Sequence, residues 1–373
     1  MPLRLLILTA ALRLASLHSA IEIKYGLNFG ADEKFVFPPP EFLVMKAMIL
    51  AAGFGTRLFP LTIDRTKPAI PFLGKPLVGY VAGYVARFGF KDVVVNLHHQ
   101  PDSVKEALGD GGDYGVKIHY TLEEPKILGT AGALDNARHL LENETFIIVN
   151  GKIITDIDIS AALRTHRKSG AIATMILKEN VLRERFTIVE VENNLITGFG
   201  NFPEPLHSTL ETHSPVPLMF TGIHILEPRV FDYIPRGVYS DIVPTFYNPA
   251  IAKGERVAAH VCGGNWFELS TIPRYLDISL AMMNGANVCK GDNCRIAPDA
   301  EVSDSVLWDD VTIESGAKLH RTIVADGVTI KSGETFRNAA IVRAEMLAHC
   351  EEIPEKALKG ERVGENYVVP LDV

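Results

Sequence analysis

From residue 45 onward, short apolar runs alternate with amphipathic stretches, the texture of strands joined by crossover helices. The runs AMILAA (residues 47–52), DVVVNL (92–97), VKIHYT (116–121), FIIVNG (146–151) and AIATMIL (171–177) predict five strands. Between them, apolar residues recur at helical spacing over 76–87, 101–108, 131–141 and 159–169, so successive βαβ units and a largely parallel sheet are expected. After Thr187 the pattern turns more antiparallel. TIVEVENNLITGF alternates in polarity on either side of Asn193-Asn194, which predicts a β-hairpin. A strand in PLMFTGIHIL comes next, then helices over 240–253 and 273–284 with the strand ERVAAHV between them. The expected class is α/β, with a mixed, mostly parallel sheet flanked by helices.

The last third carries a different period. Residues 294–344 fall into three lines of 17: CRIAPDAEVSDSVLWDD, VTIESGAKLHRTIVADG and VTIKSGETFRNAAIVRA. Apolar residues recur at Ile296, Ile313 and Ile330, at Val302, Leu319 and Phe336, and at Val306, Ile323 and Ala340. Turn-forming residues recur at Asp299, Gly316 and Gly333. Such a repeat predicts a short left-handed hexapeptide β-helix, whose coils bury their inward side chains only by stacking on one another. The expected organisation is an N-terminal extension over 1–44, an α/β domain over 45–285, the β-helix over 286–344 and a tail over 345–373 that covers the last coil.

The first 44 residues stand apart. MPLRLLILTAALRLASLHSA resembles a weak signal peptide interrupted by Arg13, and Pro38 to Pro40 isolate it from the rest of the chain. The reading adopted is an over-extended start, with the working protein beginning at Met45 or Met48; an export signal or a disordered arm is the alternative. A net charge of −8, with both signs interspersed, argues against nucleic acid or an anionic membrane surface as partner. The longest uncharged apolar runs are too short to span a bilayer. Cys262, Cys289, Cys294 and Cys350 form no CxxC pair, which suits a reducing, cytoplasmic compartment. An incompletely capped β-helix edge points to a homo-oligomer.

Chemistry concentrates directly after the first strand, in Gly53 to Lys67, GFGTRLFPLTIDRTK. Gly53 and Gly55 allow a tight turn that brings backbone N–H groups, including those of Ala52 and Thr56, against phosphate oxygens. Arg57 adds a permanently charged fork and Lys67 a second positive centre across the loop. A glycine turn after a strand is common and usually structural. The conjunction of strand, GxGTR, Pro60 and Lys67-Pro68 is more specific.

GFGTRLFPLTIDRTKPAIPFLGKPLV resembles the signature of the sugar-1-phosphate nucleotidyltransferases, the nucleotide-sugar pyrophosphorylases, several of which append a hexapeptide helix. The resemblance covers about residues 46–344 and implies a Rossmann-like nucleotidyltransferase fold. It implies in-line attack of a sugar-1-phosphate oxygen on the α-phosphorus of a nucleoside triphosphate, with pyrophosphate released and catalysis resting on positioning and charge neutralisation. In that scheme Arg57 holds the departing pyrophosphate and Lys67 the α-phosphate. Gly129, within EEPKILGTAGAL, lets the base lie on the backbone, and Glu124 matches the base-reading position. A carboxylate there accepts two hydrogen bonds from guanine and one from uracil or thymine, which tilts the reading toward GTP and a GDP-mannose type of product. Backbone recognition of the base, with a dTDP- or UDP-sugar product, stays open. Asn150, Gly151, Thr221 and Gly222 match the sugar side.

Three positions depart from that pattern. Where the resemblance implies an Asp that holds Mg²⁺, this chain has Lys152, and a protonated ammonium cannot coordinate a metal. The second metal carboxylate becomes Glu268. Asn201-Phe202-Pro203 replaces a Glu-Lys-Pro whose lysine meets the sugar phosphate. One reading has Lys152 delivering the charge that Mg²⁺ would have brought, at some loss of rate. The other is a nucleotide-binding regulatory subunit with little turnover. Asp156 and Asp158 are weaker candidates for replacement ligands, since TDID reads as a helix cap. An acyltransferase built on the β-helix, with His320 as base, is a third and less favoured class.

Overall fold

The computed structural model describes residues 45–204, 215–283, 285–350 and 352–371. The segment read as an over-extended start lies outside them. Apart from the two-residue pair Pro71–Phe72 and Lys75–Pro76, eleven strands belong to the described α/β part: β1 Lys46–Leu50, β2 Asp92–Leu97, β3 Lys117–Leu122, β4 Phe146–Asn150, β5 Ile153–Thr155, β6 Ala173–Glu179, β7 Val189–Glu192, β8 Leu195–Phe199, β9 Leu218–Leu226, β10 Val257–Val261 and β11 Trp266–Glu268. Nine of them form one sheet in the order β3-β2-β1-β4-β9-β6-β10-β8-β7. Strands β1 to β4 pair in parallel, β9 runs antiparallel to both β4 and β6, and β10 returns parallel to β6. The mixed, mostly parallel class expected from the pattern is what forms.

The helices obey local sequence logic. Helix α1, Leu77–Arg87, buries Leu77, Val78, Val81, Ala82 and Val85, the i, i+3, i+4 stripe of its own sequence. Helix α2, Pro101–Leu108, begins on a proline whose missing N–H is no loss in a first turn. The stretch expected as one helix over 131–141 is two, α3 Gly129–Asn136 and α4 Arg138–Leu141, joined at Ala137. Arg138 is drawn out by Asp135 Oδ1 and the carbonyls of Phe231 and Ile234, tertiary contacts that no periodicity reveals. Helix α5, Ile159–Ser169, is capped by Asp158, which accepts from Ser160 N at 2.8 Å, and stops at Gly170 with φ 59°. Over 240–253 a wide π-turn, Val243–Tyr247, runs into α6, Asn248–Ala252. Pro249 cannot donate to the preceding turn, so the regular ladder is lost there. Asn193 and Asn194 turn the β7–β8 hairpin with φ of 51° and 62°, as the sequence anticipated.

Helix α7, Ile272–Met282, leads into the repeat region, a parallel β-helix. Its ladders pair residues 17 apart: Ile296 with Ile313 and Ile330, Val302 with Leu319 and Phe336, Val306 with Ile323 and Ala340. Left-handed backbone recurs at the same spacing, at Asn293, Asp310 and Gly327 and again at Asp304, Arg321 and Asn338, which marks the corners of successive coils. The last coil is covered by the antiparallel hairpin Glu361–Val363 and Asn366–Pro370. The open edge that suggested self-association is therefore closed by the chain itself. Among the described residues no helix is long and apolar enough to cross a membrane.

One apolar cluster joins the two parts: Leu58, Ile70 and Phe72 after the glycine loop, Tyr275 and Leu276 on α7, and Val306, Trp308, Ile323 and Tyr367 of the coils. The Trp308 indole donates to Tyr275 Oη at 3.1 Å, and that hydroxyl donates to the carbonyl of Pro71 at 2.5 Å. Trp308→Ala removes a side chain only 3% exposed and is expected to cost about 3–5 kcal/mol. Differential scanning calorimetry should show an earlier transition that splits as the coils undock. A single unshifted transition would rule out this docking role.

Candidate active site

The parallel strands β1 and β4 end on the same side, and the loops leaving them enclose a pocket of about 580 Å³. Ala52, Gly53, Gly55, Thr56, Arg57, Lys67, Gly129, Asn150 and Lys152 all line it. Of the other expected residues, Glu268 stands directly behind Lys152, while Glu124, Gly151, Thr221 and Gly222 are absent from the lining.

The glycine loop is held at its base by Asn96, whose side-chain carbonyl accepts from Ala51 N at 2.8 Å. Beyond that point the N–H groups of Ala52, Gly53, Phe54 and Gly55 find no acceptor among the described residues. Consecutive unpaired backbone donors at the end of a buried strand form a cradle for an anion. Gly55 has φ 66°, and a Cβ there would lie 2.9 Å from Lys67 Cβ, so glycine is needed to let the two arms of the loop approach. Gly53 is different. A Cβ on it would meet nothing within 4 Å, which leaves open space over the pocket rather than a turn that demands glycine.

Asn96 also donates to Glu123 Oε1 at 2.6 Å, and Glu123 Oε2 accepts from Leu128 N at 2.7 Å. The carboxylate that faces the pocket at the 123–129 loop is thus Glu123, with both oxygens engaged, and Glu124 is exposed outside the wall. Gly129, φ 74°, packs so tightly on Ser240 that a Cβ would come 2.7 Å from its carbonyl. Sequence reasoning missed Asn96, Glu123, Tyr239 and Asp241. Their signal is three-dimensional, since Asp241 reaches Thr130 from 111 residues away.

The sugar-side residues divide. Asn150 lines the pocket, and Gly222, φ 80°, makes room for it, because a Cβ at 222 would fall 2.2 Å from Asn150 Nδ2. Thr221 is fully buried and donates to the carbonyl of Ile176 at 2.8 Å, while Gly151 abuts the carbonyl of Leu50. Thr221 and Gly151 build the wall behind the pocket instead of facing it. At Phe202, where the resemblance implies a lysine, the Arg185 guanidinium lies over the ring at 4.7 Å.

Known proteins resemble this chain over both of its parts. A family model described as nucleotidyl transferase matches residues 46–285, and one described as GlmU-like C-terminal hexapeptide matches 280–342. The chain belongs to the nucleotidyl transferase family. It is 30% identical over 286 residues to the UTP–glucose-1-phosphate uridylyltransferase of Synechocystis sp., covering 72% of each chain. It is 24% identical to the mannose-1-phosphate guanylyltransferase of Mycobacterium tuberculosis, over 74% of this chain and 83% of that one. A Bacillus anthracis structure described as a glucose-1-phosphate thymidylyltransferase in complex with a sucrose shares the fold, with TM-score 0.55, 23% identity and coverage of 65% and 96%.

In this nucleotidyl transferase the Mg²⁺ that the resemblance implies does not fit the donor set. Lys152 Nζ stands 2.5 Å from Glu268 Oε1, where a metal would need a lone pair. Asp156 is spent on Asn265 N and Nδ2, both at 2.6 Å, and Asp158 on its helix cap. Among the described residues no group of three or more acidic, His or Cys side chains could hold a metal. At the opposite end of the chain, His320 Nδ1 meets both Ser303 and Asp304, so the ring does not bridge an acid and a hydroxyl as a general base would.

Electrostatically, three cations of the pocket, Arg57, Lys67 and Lys152, act on Glu268 behind it, while Glu123 and Asp241 line another part of the wall. Burial would raise the Glu268 carboxyl, but Lys152 at contact distance, then Lys67 and Arg57, bring it below its usual range. Lys67 is only 8% exposed, and its ammonium makes no ion pair or hydrogen bond among the described residues. Burial, reinforced by Lys152 and Arg57 and opposed by Glu268, lowers its ammonium from 10.5 to about 7. Between those two values the unfolded chain holds a proton that the folded chain has released, so this residue's contribution to stability rises with pH through the window and is lowest below pH 7. Without added anion, Lys67→Met is therefore expected to raise the unfolding midpoint at neutral pH by about 2–4 °C. The gain should shrink toward pH 10, and adding inorganic triphosphate should raise the midpoint of the unsubstituted protein more than that of Lys67→Met. A Lys67→Met protein that melts lower at neutral pH would refute the account.

Proposed function

We propose that the protein transfers a nucleoside monophosphate from a nucleoside triphosphate to a sugar-1-phosphate, giving an NDP-sugar and pyrophosphate. The observation that carries this reading is Lys67, a buried ammonium with no hydrogen bond or ion pair among the described residues, set beside Arg57 and four free backbone N–H groups. A bound anion favours the charged form that burial disfavours, and a triphosphate satisfies all of these donors at once. An oxygen of the sugar phosphate attacks the α-phosphorus as the bond to the β-phosphate oxygen breaks, and pyrophosphate departs with the electron pair. No proton need move. The backbone cradle and Arg57 hold the departing end, Lys67 meets charge at the α-phosphate, and Asn150, which lines the same pocket, is left for the sugar phosphate.

GTP with mannose-1-phosphate is the pairing that the Glu124 position suggested. The exposure of Glu124 and the engagement of Glu123 favour a second reading, in which backbone groups and Ile127 meet a pyrimidine and UTP is the donor. Pyrophosphate release measured with GTP, UTP, dTTP, ATP and CTP against several sugar-1-phosphates separates the two. Arg57→Gln should lower the rate about 100-fold or more. Nucleotide binding without pyrophosphate release from any pairing would leave a regulatory subunit and dismiss the enzyme.

A further inference from the structure

Two departures from the family pattern, Lys152 and Glu268, are a single contact. The two residues lie on neighbouring segments that the β5–β11 ladder holds in register, with Glu268 opposite Ile153 and Leu269 N donating to the carbonyl of Lys152 at 3.1 Å. Glu268 is fixed from behind as well, because Arg274, itself paired with Glu184, donates to its carbonyl at 2.7 Å. From this anchored backbone the longer acid reaches Lys152 at 2.5 Å. The Glu268 side chain is 9% exposed and that of Lys152 is 36%, so the carboxylate is sealed while the ammonium still faces the pocket. An ammonium has three donors. One meets Glu268, which leaves the others for phosphate oxygens.

We propose that the Lys152 ammonium is the resident cation of this pocket: it occupies the place at Glu268 that a divalent metal would take, so the protein holds no metal of its own and nucleotide binding does not depend on one. This inference rests on the nucleotide reading and deepens it. Removing Lys152 leaves a nearly buried carboxylate beside the phosphate site, which repels anions and attracts divalent cations. Lys152→Asp restores two carboxylates facing each other and creates a metal site. Lys152→Met removes the charge without adding a ligand.

Two measurements on the full-length protein test this. Binding of Mn²⁺ followed by electron paramagnetic resonance, with no nucleotide present, should show no site near Glu268 in the unsubstituted protein and a new one in Lys152→Asp that Glu268→Gln abolishes. Equilibrium dialysis with GTP and UTP, in excess Mg²⁺ or excess EDTA, should give affinities within about threefold of each other for the unsubstituted protein. In EDTA, Lys152→Asp should bind at least about tenfold more weakly and recover with Mg²⁺, while Lys152→Met should be weak in both. A Mn²⁺ site in the unsubstituted protein that Glu268→Gln removes would overturn the proposal. So would a loss of about tenfold or more when Mg²⁺ is withdrawn from it. Failure of both nucleotides to bind under either condition would sink the nucleotide reading, and the Mn²⁺ result would still decide whether Lys152 excludes metal.

Discussion

Everything around the pocket is arranged to keep Lys67 in place. A buried ammonium with no direct ion pair resists folding, and the segment that carries it is clamped on both sides. On one side Gly55 gives way so that the glycine loop can close on the Lys67 stem. On the other, Arg65, two residues earlier, pairs with Asp326 of the β-helix at 2.5 Å and lies over the Trp308 ring. Thr66 N donates to Ser103 Oγ at 3.1 Å, tying the same segment to helix α2. These contacts fix the backbone from which the lysine projects.

That geometry gives the β-helix a part in the site although none of its residues lines the pocket. Its stacked coils supply a rigid face, and Leu58, Ile70 and Phe72 of the loop segment pack against it together with α7. The same helix starts just beyond Glu268, so the coils brace both Lys67 and the acid that holds Lys152. Positional precision of this kind matters where catalysis rests on placing charges.

The parts of this arrangement that were legible in the sequence are those that depend on near neighbours. Strand and helix periods located the sheet, the 17-residue repeat gave the register of the coils, and the two Asn residues marked the hairpin, because each reports local backbone geometry. The glycine loop with Arg57 and Lys67 was visible for the same reason. What escaped were contacts closed by the fold: the break at Ala137, the grip of Asn96 on both the loop and Glu123, and the approach of Asp241 to Thr130. Thr221 and Gly222 matched a motif by type, yet their positions show one serving the wall and the other making space for Asn150. Motif matching assigns a residue to a neighbourhood, and only packing tells which way it faces.

The pairing of Lys152 with Glu268 also bears on what the pocket can do quickly. A divalent ion brings two charges, can bridge oxygens on neighbouring phosphates, and leaves with the product. A tethered ammonium brings one charge, shares it with Glu268, and remains when pyrophosphate has to depart. The transition state would gain less from such a cation than from a bridging metal, whereas in the proposed function the ground-state grip on the triphosphate would come largely from Lys67, Arg57 and the backbone cradle. Binding energy that is equal in the ground and transition states does not raise turnover. On the function proposed above, exchanging a metal for Lys152 would make a site that holds nucleotide firmly and turns it over slowly, with metal supplied only as part of the substrate.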